Sequence, residues 1–464
     1  MGLLIRNVDF LFIYEVKNRE IDSICLLWAW LESKGYKVGI INTWDSMFHR
    51  HPEYRAKVAV ISACYSDGTY AFFTGHALHF DKVVNLQWEQ VLVNSATQGD
   101  SKSDWDFRGT IPWKTRHVCW GENNRNYLHS RFGIDLDKLR VCGYLPLDFY
   151  REEFRAASPS REELFSRYGL DPSRKTMLFI SSFADLGKPE SEVNLMEGDT
   201  QDNAENVRLQ EKSRELILEW LKKLAREDES LQIIYRAHPA EANSPEILQT
   251  AREIPNFHAI NRENIRNWIM NCDILCNWQS TSMIELYASG KKTLLLRPTE
   301  IPFKFAMPIY EEGKFRAATT YEELAAWIRE ENPAFPVEKD KLLQFYSMTE
   351  QPVYERVGQY LVDTLLDPDY RCEDPGNHLT AKGRILVRVR TRAGALLSKA
   401  AYGITGQRRK KDGEPSPRAA KIRENYEHYC YYEQKMRQNR VPPQELRKKI
   451  DAYRKMMESG WNGR

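Results

Sequence analysis

Short apolar runs alternate with helix-spaced segments along most of this chain, in two separate series. Leu3 to Tyr14 is the first run. Glu20 to Gly35 follows with apolar residues at helical spacing (Ile21, Ile24, Leu27, Leu31) and stops at a glycine. Lys37 to Ile41 is the next run. A strand–helix–strand order with such short connections predicts a βαβ unit, and hence a parallel sheet. Further strands are expected at Lys57–Ser62, Lys82–Leu86, His117–Trp120 and Arg140–Gly143, with a helix near Glu122–Arg131.

Pro146 to Pro159 reads as a linker, followed by a short helix at Arg161–Tyr168. A second series then begins. Its strands are expected at Lys175–Ser182, Leu231–Arg236, Phe257–Ile260, Asp273–Asn277 and Lys292–Arg297. Its helices are expected at Glu205–Glu227, Pro245–Ile254, Ile265–Asn271 and Met283–Ser289. The pattern predicts an α/β protein of two Rossmann-like domains, residues 1–150 and 165–367, facing each other across a cleft. In such sheets ligands lie beyond the C-terminal strand ends. The polar segment Asp185–Asn203 reads as a mobile loop over that cleft or a disordered insertion. After about Asp367 the alternation stops, and residues 380–464 read as a helical extension.

Composition agrees with a packed, multi-domain chain: 464 residues, 42% hydrophobic and 28% charged, exclude a wholly disordered protein. No apolar stretch approaches the ~18 residues a membrane-spanning helix needs. The first residues lack the basic-then-apolar-then-small order of a secretory signal. The eight cysteines are scattered, without a Cys-x-x-Cys pair. They read as reduced thiols of a cytoplasmic protein that holds no structural zinc. The net charge of +2 hides an asymmetry. Residues 380–464 carry 22 Lys/Arg against 8 Asp/Glu, and the remainder carries 45 against 57. A basic extension on an acidic body suits an anionic partner, although charge runs are often only solvated faces.

Two segments concentrate polar chemistry. Arg236-Ala237-His238-Pro239-Ala240-Glu241 follows an expected strand directly. Pro239 turns the chain, His238 is placed to donate to a phosphate oxygen, and Arg236 can add a bidentate contact. A loop histidine bonded to a backbone carbonyl would look the same. Asn277-Trp278-Gln279-Ser280-Thr281-Ser282-Met283-Ile284-Glu285 passes from a strand into a helix through three hydroxyl residues. Ser280, Thr281 or Ser282 can cap the helix, whose free N–H groups also suit an anion. Glu285 lies one turn on, near enough for ribose hydroxyls. A capping box from Ser282 to Glu285 is the plainer reading. The two segments are expected at neighbouring strand ends, converging on one phosphate or diphosphate.

His-Pro followed by a Ser/Thr-rich strand-to-helix turn resembles GT-B glycosyltransferases of bacterial surface and capsular polysaccharide assembly. The similar types are transferases using CMP-activated Kdo or sialic acid, and glycerophosphate polymerases of teichoic acid synthesis. The resemblance spans about residues 1–365 and is strongest between Tyr235 and Arg297. It implies that His238, Ser280, Thr281 and Ser282 hold the donor's phosphate and that Glu285 meets the ribose. It also implies catalysis without a metal or other cofactor. The expected partners are a nucleotide-sugar donor, CMP-linked by preference, and a glycan or lipid-linked acceptor, with no nucleic acid.

The N-terminal half is then expected to bind the acceptor and supply a base. Arg19-Glu20-x-Asp22 opens the first helix, resembling the start seen in surface carbohydrate biosynthesis proteins. Acidic residues there also simply complement a helix dipole. Glu89, in Gln87-Trp88-Glu89-Gln90, follows another strand and is the second candidate base beside Glu20. Tyr65-Ser66-Asp67-Gly68-Thr69 and Trp120-Gly121-Glu122 lie at further strand ends, where a turn or cap is the simpler role. Asp104-Trp105-Asp106 reads as a surface turn rather than a metal motif. Neither a phosphate-binding Gly-x-x-x-x-Gly-Lys-Ser/Thr loop nor a Gly-x-Ser-x-Gly elbow occurs. The basic extension is expected to dock at the anionic inner face of a membrane. On that reading residues 380–464 are dispensable for activity on a soluble acceptor.

Overall fold

The computed structural model describes residues 6–44, 54–74, 80–91, 111–183, 186, 200–238, 241, 244–331, 338–371, 430 and 433–461. Pro239, Asp104–Asp106, most of the 185–203 loop and the extension up to residue 429 lie outside the described residues.

The first series folds as β1 (Arg6–Tyr14), helix α1 (Lys17–Ser33), β2 (Val38–Asn42), β3 (Tyr54–Ile61), β4 (Lys82–Asn85), β5 (Arg116–Cys119) and β6 (Leu139–Val141). These six strands form one sheet in the order β2-β1-β3-β4-β5-β6, parallel throughout. The second series gives β7 (Thr176–Ile180), β8 (Gln232–Arg236), β9 (Phe257–Ala259), helix α2 (Ile265–Asn271), β10 (Ile274–Asn277), helix α3 (Met283–Ala288), β11 (Lys292–Leu296) and β12 (Ala317–Ala318). Their order is β12-β11-β10-β7-β8-β9, again parallel.

Parallel strands are buried on both faces, so they read as continuous apolar runs. Alternate side chains of one strand feed opposite layers. Phe10 and Phe12 join one core cluster, and Leu11 and Ile13 join the other. Met177 and Phe179 likewise part from Leu178 and Ile180 in the second sheet.

The chain then returns to the first half. Helix α4 (Val353–Leu366) puts Val353, Val357 and Leu361 into the first sheet's core. Gly358 allows the approach, because a Cβ there would lie 2.4 Å from the Trp30 ring of α1. Helix α5 (Pro443–Trp461), the end of the basic extension, joins the same core through Ile450, Tyr453 and Met457. Its cations meet acids of α1: Lys449 with Asp22 at 2.7 Å and Arg454 with Glu32 at 2.6 Å. The two halves also touch directly. Arg266 of α2 donates to Asp22 at 3.0 Å, and Asn264 donates to the Asn18 carbonyl at 2.8 Å.

Candidate functional site

Both sheets have a point where the strand order reverses, and crevices at such points bind ligands. In the second sheet that point is the junction of β7 with β10. Ile180 is level with Asn277 on one side and with Arg236 on the other. The two polar segments singled out in the sequence therefore do not end neighbouring strands. They flank β7, about 10 Å apart at the ordinary strand spacing. Ser181 and Ser182, which leave β7, fill the gap between them. Ser181 N–H donates to the Arg236 carbonyl at 3.0 Å, and Ser182 Oγ accepts from Gln279 N–H at 3.1 Å. Sequence reasoning counted these serines as strand; a hydroxyl pair directly after an apolar run was the available signal.

On the β8 side, His238 stands half-buried at the rim. Arg236 is otherwise engaged. Its two terminal nitrogens each donate at 2.8 Å to the carbonyls of Arg262 and Glu263, bracing that loop. Burial lowers its guanidinium to about 10, so it stays charged at neutral pH. Glu241 is turned inward, where it accepts from the Tyr235 hydroxyl at 2.8 Å and anchors the segment behind His238.

On the β10 side, no capping box forms, because the Ser282 side chain makes no cap. Ser280 shapes the turn instead: its hydroxyl accepts from Ser282 N–H at 3.2 Å. Asn277 steadies the start of the turn by accepting from Ser280 N–H at 3.2 Å and from the Tyr310 hydroxyl at 3.0 Å. Its amide nitrogen is buried and unpartnered among the described residues. Thr281 is exposed and Ser282 half-buried. These are the hydroxyls available to a ligand.

Glu285 is buried on α3. Burial lifts its carboxyl to about 7, with Arg266 and Arg236 pulling the other way. The folded state therefore holds this proton more tightly than the unfolded chain does, whose ordinary value is 4.5. That contribution to stability is fully present below 4.5 and is lost as pH rises through 7. Glu285→Gln is expected to match wild type below about pH 4 and to exceed it at pH 8, by up to about 3 kcal/mol. Denaturant melts of both proteins across that range check this; parallel pH curves would contradict it.

In the first sheet the order reverses at β1 and β3. A cavity of about 300 Å³ opens there, lined by Glu15, Arg19, Ser62, Tyr65, Trp88 and Glu89 among others. Glu20 and Glu89 have different surroundings. Glu20 is fully buried and accepts from Glu15 N–H at 3.2 Å, Val16 N–H at 3.0 Å, the Ser62 hydroxyl and Arg19 at 2.9 Å. Glu89 receives Arg19 at 2.7 Å and keeps 43% of its side chain exposed. Asp22, the last acid of the opening motif, points away from this cavity to Arg266 and Lys449. Burial pushes its carboxyl up, but those two cations prevail and hold it below the usual carboxylate range.

Trp120-Gly121-Glu122 has a structural task. The Trp120 carbonyl accepts from Ser347 N–H at 2.7 Å, and a Cβ at Gly121 would lie 2.2 Å from the Gln344 carbonyl oxygen. Ser66 of the Tyr65–Thr69 segment accepts from Thr69 N–H at 3.1 Å, a local turn. Tyr144 packs against the rings of Trp120 and Tyr346. Burial raises its phenol well above the ordinary value, Glu285 of the second half adds to that, and Arg19 and Glu89 of the first half also act on it. Among the described residues no group of His, Cys, Asp and Glu is arranged to hold a metal ion. Nor is any described helix long and apolar enough to cross a membrane.

No protein-family model matches the chain, and no curated protein matches it. Solved structures do. A variant of the wall teichoic acid polymerase TagF superposes with a TM-score of 0.53 at 11% identity, covering 78% of this chain and 90% of that one. A structure of the same variant with CDPG gives 0.50 at 12% identity, with the same coverage of 78% and 90%. The UDP-GlcNAc 2-epimerase from Methanocaldococcus jannaschii gives 0.47 at 12% identity, over 77% of this chain and 99% of that one. At these identities the likeness to the polymerase concerns the fold, and the two facing parallel sheets with a returning C-terminal helix are the GT-B architecture.

Proposed function

We propose that this chain is a glycosyltransferase of surface polysaccharide assembly, moving a sugar from a nucleotide-activated donor to a glycan or lipid-linked acceptor. The observation that supports this reading is that the segments carrying His238, Ser182 and Ser280–Ser282 leave β8, β7 and β10 side by side at the second sheet's switch point. Residues 165–367 take the donor, CMP-linked by preference, and residues 1–150 take the acceptor. Glu89 accepts the proton of the acceptor hydroxyl, whose oxygen then bonds to the donor's anomeric carbon. The bond from that carbon to the phosphate oxygen breaks. The departing nucleotide carries the negative charge, which His238 and the serine hydroxyls stabilise. Glu20, with its oxygens already occupied, holds Arg19 and so orients Glu89. The basic extension docks at an anionic membrane surface, where a lipid-linked acceptor lies.

The fold likeness to a wall teichoic acid polymerase, one of whose structures carries CDPG, motivates a second reading. There the chain transfers a polyol phosphate from a CDP-activated alcohol. A third reading is a scaffold that binds nucleotide without turnover. Release of nucleoside phosphate, measured over a panel of activated donors with and without acceptor, separates them. The main reading expects release of CMP from a CMP-sugar that depends on acceptor. CMP release from a CDP-alcohol favours the second, and no release from any donor overturns both.

A further inference from the structure

The first-half cavity carries its own chemical signature, which goes beyond the proposed reaction while resting on that reading for its role as acceptor site. Three carboxylates surround one guanidinium. Arg19 reaches Glu89 at 2.7 Å, Glu20 at 2.9 Å and Glu15 at 3.4 Å. Lys435 of the extension acts on Glu15 as well, more weakly than Arg19 does. Even with both cations counted, the carboxylates are in excess. Burial raises the Glu15 carboxyl above its ordinary value, Arg19 opposes the rise, and the neighbouring Glu20 and Glu89 add to it. A phosphate or carboxylate entering this cavity would meet the same repulsion, strengthened by partial exclusion of water.

The remaining walls are aromatic. Tyr65, Phe72, Phe73 and Trp88 line the cavity beside Thr69. Trp88 is 5% exposed, and its indole N–H has no partner among the described residues. Aromatic faces with carboxylates at the rim suit the apolar face and the hydroxyls of a sugar ring. The volume of about 300 Å³ is at the small end of ligand sites and fits one such unit.

We propose that the acceptor unit seated here is uncharged, a sugar or polyol whose hydroxyls are read by Glu15 and Glu89 together, and that acidic units are rejected. Glu15 is then a specificity-determining residue, absent from the sequence-based candidates. This favours a neutral glycan end over a polyol-phosphate chain, whose phosphate would lie only a few bonds from the reacting hydroxyl.

Saturation-transfer NMR on the full chain tests this. The probes are lactose, maltose and N,N′-diacetylchitobiose, with glucose 6-phosphate and glycerol 3-phosphate as charged counterparts. Wild type is expected to show transfer to at least one neutral saccharide and none to the phosphates. Glu15→Gln should weaken the neutral signal at least threefold and admit a phosphorylated probe, while Trp88→Phe weakens the neutral signal alone. Binding of the phosphates to wild type, or of no saccharide at all, would overturn the proposal. The nucleotide site is read separately. Nucleotide binding with phosphate-selective acceptor binding would sink this inference and leave the proposed function standing. Neutral saccharide binding without any nucleotide binding would do the reverse.

Discussion

Removing residues 430–464 is expected to destabilise the first half, not to leave a trimmed but active enzyme. Ile450 is fully buried, and Tyr453 and Met457 nearly so, within the core of the first sheet. Burying one such side chain is worth about 1.5–3 kcal/mol. Asp22 would also lose Lys449 and the Tyr453 hydroxyl that both favour its charged form, leaving Arg266 as its main counter-ion. Asn439 would be lost too. Its side-chain oxygen accepts from Lys17 N–H at 2.9 Å, and its carbonyl accepts from the Tyr14 hydroxyl at 2.8 Å. These bonds close the start of α1, two residues before Arg19. Together the losses exceed about 5 kcal/mol, and the thermal midpoint should fall by roughly 10 °C or more. Differential scanning calorimetry of the truncated and full chains measures this; an unchanged melt with retained turnover would contradict it.

This outcome reverses the expectation that the extension is dispensable on soluble acceptors. Its physical basis separates two roles that a deletion mixes. Arg437, Arg440, Lys448 and Lys455 are exposed. Replacing all four with Gln should leave the melt nearly unchanged, since surface substitutions usually act within ~0.5 kcal/mol. Weaker sedimentation with anionic liposomes in that variant would support the membrane role of the extension.

The second large effect concerns His238. On the proposed reading, His238→Ala removes a phosphate donor, and the histidine belongs to none of the apolar core clusters. Losing one preorganised donor to a developing oxyanion typically lowers kcat by about 10²–10³-fold. A loss of that size is expected for nucleotide release by the variant, with the thermal midpoint of the free protein within ~2 °C of wild type. Ser280→Ala is a different case. It removes the hydroxyl that holds Ser282 N–H, so turnover falls through a displaced turn rather than a missing contact. A His238→Ala variant with wild-type turnover would remove the histidine from the mechanism.

Much of the fold was legible because parallel strands bury both faces. Leu231–Arg236 and Asp273–Asn277 announce themselves by short apolar centres, Ile233–Tyr235 and Ile274–Cys276, and the structure starts each of these strands one residue later. Lateral order was less accessible. Nothing in chain order places β7 between β8 and β10, so the sequence alone makes the two polar segments look adjacent and hides the serines between them. β12 has only Ala317 and Ala318, too short and too bland to stand out. The docking of α5 was legible in principle. Leu446, Ile450, Tyr453 and Met457 recur at helical spacing, but the excess of Lys and Arg around them drew attention to charge. At the site, Glu20 and Glu89 are equal candidates by position, each following a strand of the first sheet. Only burial and hydrogen bonding part them: one carboxylate is fully occupied inside, and the other is open to the cavity.

The central claim is a nucleotide site at the C-terminal ends of β7, β8 and β10. Its most direct measurement is a thermal-shift panel of CMP, CDP, UDP, GDP and ADP on wild type and His238→Ala, because a ligand that binds only the folded state raises its melting temperature. A selective CMP shift in wild type that is lost in the variant is the predicted result. No shift with any of the five nucleotides, or equal shifts in both proteins, would contradict the claim.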